Sequence, residues 1–146
     1  GRGTSEPFKL VGLPGIDADV LARKLNVDKL PGVKFEPAQF TPRSIPGRSS
    51  EPRFCDQMIP GLRIVITDPQ VFEPVETGIY LLCAVYRSLG EVEREHFFHG
   101  EGFDSLAGTG SMRKLIQSGA APEEIIDAWL KEDEQFAEKR RKYLLY

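Results

Sequence analysis

The clearest periodic signal in the chain is the alternation over Leu62–Thr67. Leu62, Ile64 and Ile66 fall on one face and Arg63, Val65 and Thr67 on the other, as side chains do along a strand. Val65 predicts that the second face is partly covered, and Asp68-Pro69 ends the run. Shorter apolar stretches predict strands at Phe8–Val11 and at Val33–Glu36, the latter after a Pro31-Gly32 turn. Elsewhere apolar residues recur at helical spacing. Val20, Leu21 and Leu25 predict a helix capped by Asp17. Ile79, Leu82, Cys83, Tyr86 and Leu89 predict a central core helix over Gly78–Leu89, with Thr77 as its N-cap and Gly90 as its stop. Tyr80 and Tyr86 read as packing residues of that helix, with a hydroxyl pointed into a cleft as the alternative role.

Ser111 is expected to cap a helix through Gln117, with Gly119 on its C-terminal side. Ala121-Pro122-Glu123-Glu124 opens the last helix, because proline is tolerated in a first turn and acids suit the positive end of the dipole. Ile125, Ile126, Trp129, Phe136 and Tyr143 supply its apolar face. The apolar end Leu144-Leu145-Tyr146 is expected to be tied down, in this domain or against a neighbour.

Two stretches lack periodicity. Pro37 to Pro60 carries Pro37, Pro42, Pro46, Pro52 and Pro60 with Gly47, Ser49 and Ser50, and reads as one long irregular loop. Its Arg43, Arg48 and Arg53 are placed to meet an anionic ligand, another domain or solvent alone. His96 to Gly110 gathers His96, Phe97, Phe98, His99, Glu101, Phe103 and Asp104 among four glycines, and Asp104 is expected to cap a short turn through Leu106. No repeat and no regular strand–helix–strand rhythm is present. The expected fold is α+β: a small mixed sheet packed with about four helices, one compact domain over residues 1–146.

Composition narrows the function classes. A chain of 146 residues, 40% hydrophobic and 28% charged, is of ordinary globular make-up and can bury about two-thirds of its unfolded surface. The longest apolar run, near Ile79–Tyr86, is far short of the roughly 20 residues that span a bilayer, so no membrane span is expected. The net charge is −3, and the basic run Lys139, Arg140, Arg141, Lys142 reads as the complement to the negative end of the last helix, with a binding patch as the alternative. No nucleic-acid partner is expected. The chain opens at Gly1 without an initiator methionine or signal peptide. That start suggests a domain cut from a larger protein and not a complete enzyme.

Candidate chemistry is sparse. His96 and His99, with Glu101 and Asp104 nearby, lack the HExxH spacing, so no metal is expected. Two cysteines are too few for a zinc site. Cys83 reads as a core residue and Cys55 as a loop residue, and a disulfide between them stays open. A thiol site would need Cys55 or Cys83 beside a histidine. No GxSxG elbow occurs, and Gly1-Arg2-Gly3-Thr4 lacks the phosphate-loop pattern, so no cofactor is expected. Glu6, Glu101 and Asp104 are the loop carboxylates that a glycoside hydrolase would draw on.

The order of motifs carries more. Gly1-Arg2-Gly3-Thr4, Pro7-Phe8, then Gly12, Pro14 and Asp17 are followed by Pro31-Gly32-Val33, Phe35, and Phe40 with Pro42. Ile64, Ile66 and Asp68 come next, then Phe103-Asp104, Leu106 and Gly108, and the distinctive end Arg141-Lys142-Tyr143-Leu144-Leu145-Tyr146. Together they resemble the C-terminal domain of the bacterial exo-β-N-acetylmuramidase family, formerly a domain of unknown function, over nearly the whole chain. The resemblance implies an exported or periplasmic hydrolase that removes N-acetylmuramic acid from the non-reducing end of peptidoglycan fragments. It implies a larger Rossmann-type N-terminal domain that supplies the principal catalytic acids, with the cleft near the domain boundary. The implied partners are a muramic-acid-containing saccharide and the chain's own N-terminal domain.

Carried over residue by residue, Arg2, Thr4 and Glu6 are the cleft-proximal candidates. Arg2 is expected either to pair with the lactyl carboxylate of muramic acid, which a guanidinium fork suits, or to anchor the interdomain linker. Arg43, His99 and Glu101 are further candidates for shaping the cleft, and no catalytic residue is assigned. The rival reading is a noncatalytic domain that binds a protein or the cell wall through its long loops.

Overall fold

The strand Ile59–Ile66 (β3) lies at the centre of a three-stranded sheet, between Leu10–Gly12 (β1) and Val33–Phe40 (β2), in the order β1-β3-β2. The computed structural model describes residues 1–98 and 100–144, with only the backbone of Glu101 and Glu132. Both strand pairs are antiparallel, so the sheet is not mixed. The first strand sits later than the Phe8–Val11 expected. The other two run well into the Pro-rich stretch that reads as a loop, and Phe40 pairs with Ile59.

Two prolines therefore lie inside strands, and edge geometry explains both. Pro37 is on β2, an outer strand, where a missing N–H facing outward breaks no ladder bond. Ile64 N–H donates to Lys9 O on the β1 side at 2.8 Å. By the two-residue alternation Pro60 faces the same side, beyond the Gly12–Gly61 pair where β1 ends. The α+β class holds, because the sheet packs on one side of a helical layer.

Helix α1 (Ala18–Val27) starts as its cap predicts, with Val20 N–H donating to Asp17 Oδ1 at 2.9 Å. Its inner face is Leu21, Ala22 and Leu25, while Val20 points mostly to solvent. Asn26 fastens this helix to the outer edge of β2. Its Nδ2 donates to Phe35 O at 2.8 Å and its Oδ1 accepts from Phe35 N–H at 2.9 Å. Those are the two edge groups that a sheet leaves unpaired.

Helix α2 (Pro74–Ser88) begins one turn earlier than Thr77 suggests, because Pro74 occupies its first position. Thr77 is buried inside that turn, its N–H on Glu73 O at 3.0 Å. Gly90 does not adopt the left-handed stop but precedes a short helix α3 (Glu91–Glu95). Then come α4 (Gly100–Ala107), α5 (Ser111–Gln117), α6 (Pro122–Arg140) and a 3-10 turn, Arg141–Tyr143. Six α-helices among the described residues exceed the four expected. Gly110, not Ser111, holds the N-cap of α5. Asp104 lies within α4, and its carboxylate is taken by Arg113.

Two apolar clusters share α2. Ala84, Val85 and Leu89 meet Leu21, Leu25, Phe35 and Leu62 beneath the sheet. Ile79 and Cys83 meet Met112, Ile116 and Ile125 from α5 and α6. Each large side chain so buried contributes about 1.5–3 kcal/mol. The predicted apolar face of α6 is covered only in its first half, since Phe136 is 62% and Tyr143 74% exposed. Leu145 and Tyr146 lie outside the described residues. Both cysteines are free, Cys83 in the core and Cys55 on the surface. No helix among the described residues is long and apolar enough to cross a membrane.

Candidate functional site

The first nine residues form a knot of turns held against the sheet and the loop after β2. Thr4 N–H and Oγ1 both donate to Gly1 O, at 3.1 and 2.7 Å, and Thr4 Oγ1 accepts from Glu6 N–H at 3.1 Å. Glu6 is ion-paired with Arg63 on β3, which ties the segment to the central strand. Gly3 O accepts from Arg43 N–H at 2.7 Å. A Cβ on Gly3 would lie 2.7 Å from Pro52 Cγ and 2.8 Å from Arg43 O, and its φ of +79° is left-handed. Only glycine fits there.

This segment separates two clefts, and Gly1 and Arg2 line both. The first, of about 620 Å³, is walled by apolar side chains of the sheet and α2, among them Val11, Phe40, Ile59, Leu81 and Val85. Arg53, Phe54, Glu93 and His96 are its other notable lining groups. Arg53 lies over the Phe54 ring at 5.0 Å, and Phe54 itself has a left-handed φ of +60°.

The second cleft, of about 740 Å³, is lined by Arg2, Thr4, Pro7, Phe8, Arg48 and Ser49 over a floor of Leu10, Val11, Ile45 and Ile64. Arg48 and Ser49 come from a tight turn. Ile45 N–H donates to Ser49 O at 2.8 Å and Ser49 N–H to Ile45 O at 2.9 Å, with Gly47 left-handed between them. Phe8 is 95% exposed and has a φ of +67°, a conformation unfavourable for an aromatic residue. Such strain persists where the surroundings impose it, commonly at ligand sites.

The sequence candidates are thus partly brought together. Arg2 and Thr4 line the second cleft. Glu6 is close in the chain but committed to Arg63. Arg43 contributes its main chain to the Gly3 contact, and its side chain lines neither cleft. His99 lies outside the described residues, as does the side chain of Glu101. Asp104 is held by a two-pronged contact from Arg113, Nε to Oδ1 at 2.9 Å and Nη2 to Oδ2 at 2.7 Å. Those hydrogen bonds pull its carboxyl below the usual range, so it is not poised as an acid near neutral pH. Sequence reasoning missed Ser49 as a cleft residue. The Pro46-Gly47 turn signal beside it was the available clue.

The remaining chemistry is structural. Burial pushes the Cys83 thiol up, which keeps it un-ionised. Cys55 sits within 3.5 Å of the Asp56 carboxylate. Tyr80 donates to Glu123 at 2.8 Å, joining α2 to α6, and burial with that bond pushes its hydroxyl up to about 12. Tyr86 packs against Phe97 and Phe98, as read from sequence. Among the described residues no three His, Cys, Asp or Glu side chains gather to hold a metal ion.

Comparison with known proteins extends this picture. The family model described as exo-beta-N-acetylmuramidase NamZ, C-terminal, matches residues 1–146. The chain is 38% identical over 148 aligned residues to the peptidoglycan beta-N-acetylmuramidase NamZ of Bacillus subtilis (strain 168), covering all of this chain and 33% of that protein. A crystal structure of a DUF1343 family protein from Bacteroides fragilis NCTC 9343 superposes with a TM-score of 0.72 at 26% identity. It covers 99% of this chain and 36% of that one. The chain therefore spans about a third of the length of each relative.

Proposed function

This chain belongs to the family of exo-β-N-acetylmuramidase C-terminal domains, and on that premise we propose that it forms one wall of a saccharide cleft in a peptidoglycan-fragment hydrolase. The observation that carries the reading is the second cleft, which brings Arg2 and Arg48 together with the exposed ring of Phe8. A guanidinium fork suits a sugar carboxylate, and an aromatic face suits the apolar face of a pyranose. N-acetylmuramic acid offers both.

The chain supplies half of that site. Glycoside hydrolysis usually takes two carboxylates on opposite sides of the scissile bond. Among the described lining residues the second cleft has no carboxylate and the first has only Glu93. The catalytic acids then come from an N-terminal domain, for which the threefold greater length of the relatives leaves room. Phe8 and Val92, exposed in the linings of the two clefts, suit contact with such a domain. The reading carries an exported or periplasmic location with it, since peptidoglycan lies outside the cytoplasmic membrane.

The test is turnover of a chromogenic muramic acid glycoside by this chain alone and joined to its N-terminal partner. Silence from the first and turnover by the second are expected. Turnover by the isolated chain overturns the half-site, and an inert complete protein overturns the muramidase assignment. The rival reading, a noncatalytic module that binds a protein or wall polymer, draws on the same exposed apolar side chains. Undiminished turnover after removal of this domain would favour it.

A further inference from the structure

Helix α6 outruns the body that it packs on. Its first half is covered, with Ile125 buried and Ile126 and Trp129 packed into the second cluster. From Lys131 to Arg140 it continues for about 15 Å, and every described side chain from Leu130 to Leu144 is exposed. Helices in proteins owe most of their stability to the packing of one face, so an uncovered stretch of this length suits a partner. Aromatic residues mark the face. Trp129, Phe136 and Tyr143 recur every seven residues, about two turns, and form one stripe. Asp133 and Arg140, also seven apart, lie along one flank of it, and neither takes part in an ion pair among the described residues. On the opposite side of the helix the charges are spent locally, with Arg141 paired to Glu138 at 3.0 Å.

We propose that this stripe is the interface of a homodimer, in which α6 of one copy lies antiparallel against α6 of a second with the two-fold axis at Phe136. The helix is self-complementary about that residue. A two-fold there sets Phe136 on Phe136 and Trp129 opposite Tyr143, so aromatic meets aromatic along the seam. It also sets Asp133 of each copy beside Arg140 of the other, because the two share a flank, one about a turn before the axis and one about a turn after. A parallel pair in register places Asp133 level with Asp133 and Arg140 level with Arg140, which repels. This charge complementarity is what selects a second copy, and the antiparallel sense, for the uncovered face. One helix pair is a small contact, so association is weak and depends on concentration. The pairing does not depend on the saccharide reading above.

The experiment is analytical ultracentrifugation over a range of concentrations, on the full chain and on the chain joined to its N-terminal domain. Both are expected to pass from one copy to two as concentration rises. Phe136→Ser is expected to weaken self-association at least about a hundredfold, since symmetry removes two rings from the seam. In dilute solution that variant should melt as the wild type does. Arg140→Glu and Asp133→Lys are each expected to weaken self-association about tenfold, and an equimolar mixture of the two to regain it. A full chain that stays monomeric at every concentration overturns the proposal. So does a dimer that forms without the N-terminal domain but not with it, which assigns the face to that domain. Undiminished association of Phe136→Ser places any dimer elsewhere, and a lowered melt of dilute Phe136→Ser packs the ring on its own domain. A charge-swapped mixture that fails to associate overturns the antiparallel pairing.

Discussion

The main-chain N–H of Arg43 donates to the carbonyl of Gly3 at 2.7 Å, joining the Arg2-Gly3-Thr4 segment to the loop that follows β2. Arg2 enters the clefts from that anchored point. Gly3→Ala would force a Cβ into Pro52 and Arg43 at a left-handed φ. We expect a loss of at least about 2 kcal/mol from backbone strain and overlap together. Chemical denaturation measures it, and an unchanged midpoint would contradict the tight packing at Gly3.

Asn26 satisfies both outward-facing main-chain groups of Phe35. Asn26→Ala removes two hydrogen bonds and leaves an edge strand open, at a cost of about 2 kcal/mol. Amide exchange at Phe35 should accelerate in the variant beyond the change seen at Leu62. Equal acceleration at both sites would mean that the bonds act only through global stability.

The Asp104–Arg113 contact makes stability depend on acid. The folded-state pKa of Asp104 lies below its unfolded value near 3.9, so the folded state binds fewer protons. Its contribution is complete above that unfolded pKa and is lost as pH falls through the lower folded one. Asp104→Asn should therefore be less stable than wild type at pH 7, and the gap should close below about pH 4. Thermal melts across that range provide the check. A constant gap would assign the loss to packing and not to charge.

The two halves of α6 should respond differently. Ile125 is 3% exposed in the second cluster, whereas Phe136 is 62% exposed. Ile125→Ala is expected to cost about 2–4 kcal/mol. Phe136→Ser should stay within about 0.5 kcal/mol of wild type. A large loss at Phe136 would show that the distal half of the helix packs on the domain in solution.

Much of the fold and little of the site was legible in the residues themselves. Asp17, Pro122 and the alternation of Leu62–Ile66 are signals whose physical basis lies within a turn or a strand of the residue concerned. Each predicted its element, and the order of motifs along the chain placed it in its family. Thr77 misled because proline at the first helical position, three residues earlier, fixes φ without needing a side-chain cap. Asp104 misled because its partner, Arg113, arrives from the next helix.

What the sequence by itself determined is the presence of three strands, of the helices α1, α2, α5 and α6, the α+β class and the family. Tertiary structure alone decided that Pro37 and Pro60 lie in strands, since an edge exists only once neighbours are assigned. It decided too that Glu6 is spent on Arg63, 57 residues away, and that Ser49 Oγ is buried with no hydrogen-bond partner among the described residues. The reason is physical: a cap or a turn is satisfied by atoms a few bonds along the chain. A cleft wall, an ion pair between distant segments or an unpaired hydroxyl depends on everything that the folded chain brings alongside.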